Sequence, residues 1–141
     1  MPIAGRKPKP EGQARNRNRP THDWTEVVDE PFKGGPKLPG RTPNGMPWPA
    51  ATKQWWKVVS TMPHCVLWTA SDWEYALDTA FLKALFHMQG HTSLATEVRN
   101  RERVLGTTAD YRRDLRIKYV DRKAEQEQPA GVTSLDDYRD L

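Results

Sequence analysis

Nine of the chain's twelve prolines lie in its first 47 residues, and no other feature limits the fold as strongly. Pro2, Pro8, Pro10, Pro20, Pro31, Pro36, Pro39, Pro43 and Pro47, with glycines between them, remove amide donors and fix φ at short intervals. No regular helix or central strand is expected there. Residues 1–47 therefore read as a basic, disordered or extended arm that buries little apolar surface alone and orders on a partner. Residues 48–123 read as a helical core and oligomerisation domain, and residues 124–141 as a polar, acidic C-terminal tail. The expected fold class is all-α, a small bundle of about four helices carrying that arm and that tail.

The helices are marked by their ends. Trp48-Pro49 opens the first, since proline suits a first turn, and Pro63 stops it near Met62. Ser71-Asp72-Trp73-Glu74 has the pattern of a capping box for the second helix, which runs to Gln89 with Gly90 as its C-terminal stop. At 100° per residue, Trp73, Leu77, Ala80, Phe81, Ala84 and Met88 share one face of this helix, while Tyr75, Leu82 and Phe86 fall on the other. Two opposed apolar stripes suggest burial on two sides. Tyr75, Leu82 and Phe86 are the candidate contacts between subunits, unless this is simply the central helix of a monomeric bundle. A third helix spans about Ser93 to Leu105 and is broken by Gly106; Thr108 caps a fourth, from Ala109 to about Arg122. The last pair has the outline of a helix-turn-helix, or of an ordinary kink between bundle helices.

Charge is distributed in blocks. The formal net charge is +4, but residues 1–44 and 101–124 each carry +4, residues 45–100 are neutral and residues 125–141 carry −4. Separated blocks suggest a polyanion for the basic ones and a protein for the acidic one; plain solvated surface is the alternative. In the arm the candidate DNA-binding residues are Arg6, Lys7, Lys9, Arg15, Arg17 and Arg19, where each cation near a phosphate releases a counterion. The second set is Arg112, Arg113, Arg116 and Lys118. On one continuous helix Arg112, Arg116 and Lys123 would share a face able to follow a phosphate backbone or reach guanine edges. Local ion pairs with Asp110, Asp114 and Asp121 are the competing role for these arginines. In the tail, Leu135, Tyr138 and Leu141 form an apolar edge at i, i+3, i+6 that could dock in a partner's groove.

Several classes of chemistry are not signalled. Lys33-Gly34-Gly35-Pro36 lacks the spacing of a phosphate-binding loop, so no ATPase is expected. No converging carboxylates suggest a metal-dependent nuclease, and no nucleophile has a base beside it in sequence, so no catalytic residue and no cofactor is assigned. His87 and His91 lie on either side of the helix-ending Gly90, and His64-Cys65 lacks a second ligand pair, so no metal site is assigned. Cys65 reads as a small buried residue beside Trp68. No apolar run approaches the ~18–20 residues that span a bilayer, and the N-terminus lacks an apolar leader, so no membrane partner is expected. The single cysteine suits a reducing compartment. The six tryptophans could stack on unpaired bases, or fill a core or a subunit interface.

In order along the chain come Gly5-Arg6-Lys7-Pro8, Leu38-Pro39, Trp48-Pro49 with Trp55-Trp56, Trp68, Asp72-Trp73 and the Leu77/Ala80/Leu85 helix. Last comes the run from Leu105-Gly106-Thr107-Thr108 through Tyr111-Arg112-Arg113-Asp114-Leu115-Arg116. This order, over roughly residues 1–118, resembles the terminase small subunits of tailed bacteriophages, especially those infecting actinobacteria. Ala109 stands where the pattern suggests proline. The resemblance implies a non-enzymatic homo-oligomeric ring in the host cytoplasm. Such a ring binds viral double-stranded DNA at the packaging site and regulates a separate large subunit bearing the ATPase and nuclease. The acidic tail is then the candidate docking element for that large subunit. A dimeric helix-turn-helix transcription regulator and a head–tail structural protein are the competing expectations.

Overall fold

The computed structural model describes residues 23–122. Its elements are a strand β1 (Thr25–Val28), helix α1 (Ala50–Val59), a 3₁₀ turn (Pro63–Leu67), helices α2 (Ala70–Gln89), α3 (Thr92–Leu105) and α4 (Ala109–Asp114), and a strand β2 (Ile117–Val120). Among the described residues the fold is thus mostly helical with four helices, as expected, but it is not purely all-α. β1 and β2 pair in parallel, Thr25 opposite Ile117 and Val28 opposite Val120. The fourth helix, expected to reach Arg122, ends at Asp114. Leu115 closes its last turn, and Arg116 takes up φ 58°, a left-handed conformation that stops a helix. Beyond it, Ile117 and Val120 are β-branched and Tyr119 is aromatic, residues that suit a pleated surface. A parallel pair needs a long crossover, here supplied by all four helices.

The core follows from α2. Ala76, Ala80 and Ala84 recur every four residues and are fully buried, leaving a shallow trough along the helix. Trp48, Trp56 and Leu105 fill it, with Trp55, Trp68, Trp73, Tyr75, Leu77 and Phe81 packed around them. α1 lies against one side of α2 and α3 against another. The three helices meet at Glu102, whose Oε1 accepts from the Trp55 indole at 2.7 Å and from Lys83 Nζ at 2.8 Å. The opposed apolar stripes of α2 are therefore covered in part within the chain. Tyr75 packs on the core and lies under the Arg101 guanidinium, 5.1 Å from its ring centre. Leu82 and Phe86 are half-buried.

Besides the early end of α4, α1 stops at Val59 rather than near Met62, while several other helix ends match the sequence signals. Gly90 and Gly106 adopt left-handed conformations, φ 69° and 71°, and end α2 and α3. The Thr108 side chain accepts from the Tyr111 amide at the start of α4. The capping box of α2, however, is formed by Thr69 and Asp72, whose carboxylate accepts from the Thr69 amide at 2.8 Å, and not by Ser71 and Glu74.

The proline-rich stretch is extended, as expected, yet residues 23–47 pack on the helices. Proline segments have carbonyls to satisfy and few amides, and indole N–H groups supply the missing donors: Trp48 donates to Pro39 O at 2.8 Å and Trp56 to Pro36 O at 3.1 Å. Phe32 stacks on Trp73 with ring centres 5.9 Å apart. Gly35 passes so close that a Cβ there would stand 3.0 Å from both Ser60 O and the Trp73 ring. Residues 1–22 and 123–141 lie outside the described residues. No helix among the described residues is long and apolar enough to cross a membrane.

Candidate nucleic-acid interface

The end of the molecule formed by α4 and the two strands is organised around His64. Its Nε2 lies 2.7 Å from Leu105 O and its Nδ1 2.6 Å from the Tyr119 hydroxyl. A carbonyl can only accept, so Nε2 carries the proton, and in the neutral ring Nδ1 accepts from the tyrosine. Burial lowers the His64 pKa from its ordinary 6.5; the bond to Leu105 opposes that shift and nearby Arg112 adds to it. Burial likewise raises the Tyr119 pKa above 10.0, keeping the phenol a donor. This one side chain ties the 3₁₀ turn to the end of α3 and to β2. Gly106 is held at the same point, since a Cβ there would lie 3.1 Å from His64 Nε2. Cys65, next in sequence, is buried against Val59, Met62 and Trp68, with its thiol pushed up to about 12 by burial, so it stays a protonated, unreactive packing group.

Upon this scaffold sit the basic residues of the second block. Arg112 donates to Gly106 O at 3.1 Å and lies over the Tyr119 ring at 4.8 Å, so it is fixed and half-buried rather than free on a helix face. Arg113 is exposed, 3.6 Å from Asp110 across one turn of α4. Arg116 is on the connection to β2 and Lys118 on β2 itself. The single helical face expected for Arg112, Arg116 and Lys123 therefore does not form. α4 has six residues, about 9 Å at ~1.5 Å per residue, so the helix-turn-helix outline lacks a long second helix. Instead Arg112, Arg113 and Lys118 border a cavity of about 310 Å³, with Trp24 and Tyr119 in its walls. Trp24 is one of the six tryptophans that the sequence offers for stacking on unpaired bases, without singling it out, and Tyr119 is not a candidate from sequence because it falls within the expected fourth helix; the β-branched and aromatic make-up of Ile117, Tyr119 and Val120 is the signal against a helix there. A larger hollow of about 620 Å³ is bounded by Glu26, Glu30, Val66 and Leu67. Its wall carries Lys33 beside the two carboxylates, so it lacks the one-sided positive charge of the first cavity.

The strand pairing places the start of the described chain beside the second basic block. Residues 1–22 lead into the described chain at Asp23-Trp24, and the Thr25 amide bonds Arg116 O at 2.9 Å. The arm's point of attachment thus lies beside Arg116 and the basic cavity. Because the pair is parallel, residues 123–141 follow from the far end of the sheet, where Arg122 and Glu30 form an ion pair of 2.7 Å. The two attachment points are separated by one strand of four residues, roughly 10–13 Å at ~3.3 Å per residue. Arg6, Lys7, Lys9, Arg15, Arg17, Arg19, Leu135, Tyr138 and Leu141 lie outside the described residues. Among the described residues, no group of three or more His, Cys, Asp or Glu side chains is placed to hold a metal ion.

A family model described as phage terminase small subunit matches residues 3–141. The chain belongs to that family. No curated protein and no solved structure gives a match. The family match takes in the small subunit's proline-rich arm and its acidic tail together with the helical core, beyond the stretch over which sequence motifs had suggested the resemblance.

Proposed function

We propose that this small subunit is a non-catalytic adaptor that binds viral double-stranded DNA at the packaging site. It recruits and regulates the large terminase subunit, acting as a homo-oligomeric ring in the host cytoplasm. The observation that carries the DNA reading is the convergence of the two basic blocks: the arm bearing Arg6, Lys7, Lys9, Arg15, Arg17 and Arg19 is attached beside Arg112, Arg113, Arg116 and Lys118. Two cationic segments at one end of a molecule act on the same stretch of phosphate backbone. The acidic tail, attached at the far end of β2, is the element for a protein partner, since its charge repels phosphate; Leu135, Tyr138 and Leu141 are its docking edge.

The test is the salt dependence of duplex binding by the full-length chain, with native mass measured first to establish the ring. Each phosphate contact contributes about −0.9 to the slope of log K against log salt. Removing residues 1–20 should make the slope shallower, and neutralising Arg113 and Lys118 should do so again. A slope unmoved by both changes rules out this DNA-binding face. Deleting residues 125–141 should abolish co-purification with the large subunit and leave the slope unchanged.

A further inference from the structure

We infer that Trp24, with the basic rim beside it, is a stacking site for an unpaired DNA base, so that the small subunit favours duplex with a single-stranded extension over blunt duplex. This rests on the DNA-binding role proposed above and adds a ligand class and a residue to it. The inference begins with what the tryptophans do. Trp48, Trp55 and Trp56 donate their indole N–H groups to Pro39 O, Glu102 and Pro36 O. Trp68 and Trp73 pack edge to face at 4.8 Å. Trp24 has neither an indole hydrogen bond nor a ring partner among the described residues, and it is half-buried. A half-buried indole in the wall of a cavity, with no other ring against it, has a face left for a ligand to cover.

The surroundings identify the ligand. The cavity of about 310 Å³ lies at the lower end of the range of small-molecule sites, ~300–1,000 Å³. Its cations are Arg112, Arg113 and Lys118. The Tyr119 ring is already engaged by Arg112 at 4.8 Å and His64 at 6.0 Å, so it holds the guanidinium in place rather than meeting a ligand. A phosphate alone would need no indole. A base inside a duplex cannot offer its face, because its neighbours cover it. An unpaired base offers both a π-face for Trp24 and flanking phosphates for the rim, the combination used by single-strand-binding surfaces.

The test compares, by fluorescence anisotropy with the full-length chain, a blunt duplex and the same duplex with a short thymidine overhang. The overhang should tighten binding about tenfold, the scale of one base–aromatic stack. Trp24→Ala should remove that preference, so that the variant binds the overhang no more tightly than it binds blunt duplex, while Trp24→Phe, which keeps a ring and guards against misfolding, should retain part of it. Part of the preference should persist as salt rises, because stacking releases no counterions while the overhang's phosphates on the basic rim do. Equal affinity for the two DNAs, with blunt duplex still bound, overturns the inference and leaves the DNA-binding role standing. Failure to bind either DNA overturns both. A drop in native mass for Trp24→Ala also overturns it, because the indole would then be a contact between copies.

Discussion

Around Trp56, indole rings crowd against a column of alanines and each buried N–H ends on a carbonyl or carboxylate. Around His64, a handful of directional bonds joins four elements, and the arginines above them stay at or near the surface. The first region gains its stability from buried apolar area, which tolerates no water and offers no chemistry to a partner. The second holds charged side chains in place without hiding them. Ligand-binding parts of a molecule are drawn from such lightly buried regions, since a group withdrawn into a core cannot meet a ligand. Five of the six tryptophans, Trp48, Trp55, Trp56, Trp68 and Trp73, serve the core: they secure the proline segment and the helices, so that the basic end need only be positioned.

The largest expected effect comes from breaking the first region. Trp56 is 5% exposed, packs against Trp55 and Trp73, and donates to Pro36 O. Trp56→Ala should cost about 3–5 kcal/mol, by lost transfer energy, an unfilled cavity and release of the proline segment. Denaturant unfolding measures it. If the two regions are as distinct as the packing indicates, DNA affinity per folded molecule should be unaltered at temperatures where the variant stays folded. A parallel loss of affinity would show that the basic end depends on the tryptophan core.

An intermediate effect is expected at the polar network. Tyr119→Phe keeps the ring beneath Arg112 but leaves His64 Nδ1 without its donor, a loss of about 1–2 kcal/mol for a buried unsatisfied group. The network also sets a pH dependence. His64, lowered by burial, and His87, lowered by burial and by Lys83, take up protons less readily in the folded chain than in the unfolded one. Below their ordinary value of 6.5 the unfolded state therefore binds more protons, and stability is lost as pH falls, while above it the contribution is fully present. Melting temperature followed from pH 8 to pH 5 should decline on the acid side (about one pH unit either side of the ordinary histidine value suffices to see it). The decline should be shallower in Tyr119→Phe, because the lost donor had favoured the neutral ring. An equally steep decline would assign the acid sensitivity to His87, bonded to Thr52 at 2.7 Å in the other region.

What sequence could show follows the same division. Gly90, Gly106 and Thr108 act locally, through φ or a short side chain, and each marked its helix end correctly, whereas α1 stops at Val59, short of Met62, and Pro63 opens the 3₁₀ turn. The capping box was displaced because Thr69-x-x-Asp72 and Ser71-x-x-Glu74 both satisfy the same spacing, and only the extended backbone at Thr69 chooses between them. The strands were not legible. Thr25–Val28 and Ile117–Val120 are each four residues, too short to show a period, and all four helices lie between them in the chain. The candidate site suffered accordingly. Arg112, Arg113, Arg116 and Lys118 were identified by charge, but their shared helical face was an extrapolation past Arg116, whose left-handed φ nothing in its residue type announces. Trp24 was hidden because its distinction is the lack of a partner, which only three dimensions reveal.

The smallest effect on stability should accompany the clearest effect on binding. Arg113 keeps 45% of its side chain exposed and its one described ion pair, to Asp110, is long at 3.6 Å. Such a pair contributes little, since water screens it and two flexible side chains must be held to form it. Arg113→Ala should therefore shift unfolding free energy by less than about 0.5 kcal/mol. If the guanidinium meets a phosphate, the same change should weaken duplex binding and reduce the salt slope by about 0.9. Arg112→Ala makes the contrast sharper: Arg112 is bonded to Gly106 O and stacked on Tyr119, so its loss should lower stability and binding together. Were Arg113→Ala to destabilise the fold as much as Arg112→Ala does, the surface of α4 would belong to the scaffold, and the division between a region built for stability and one built for a ligand would have to be redrawn at that helix.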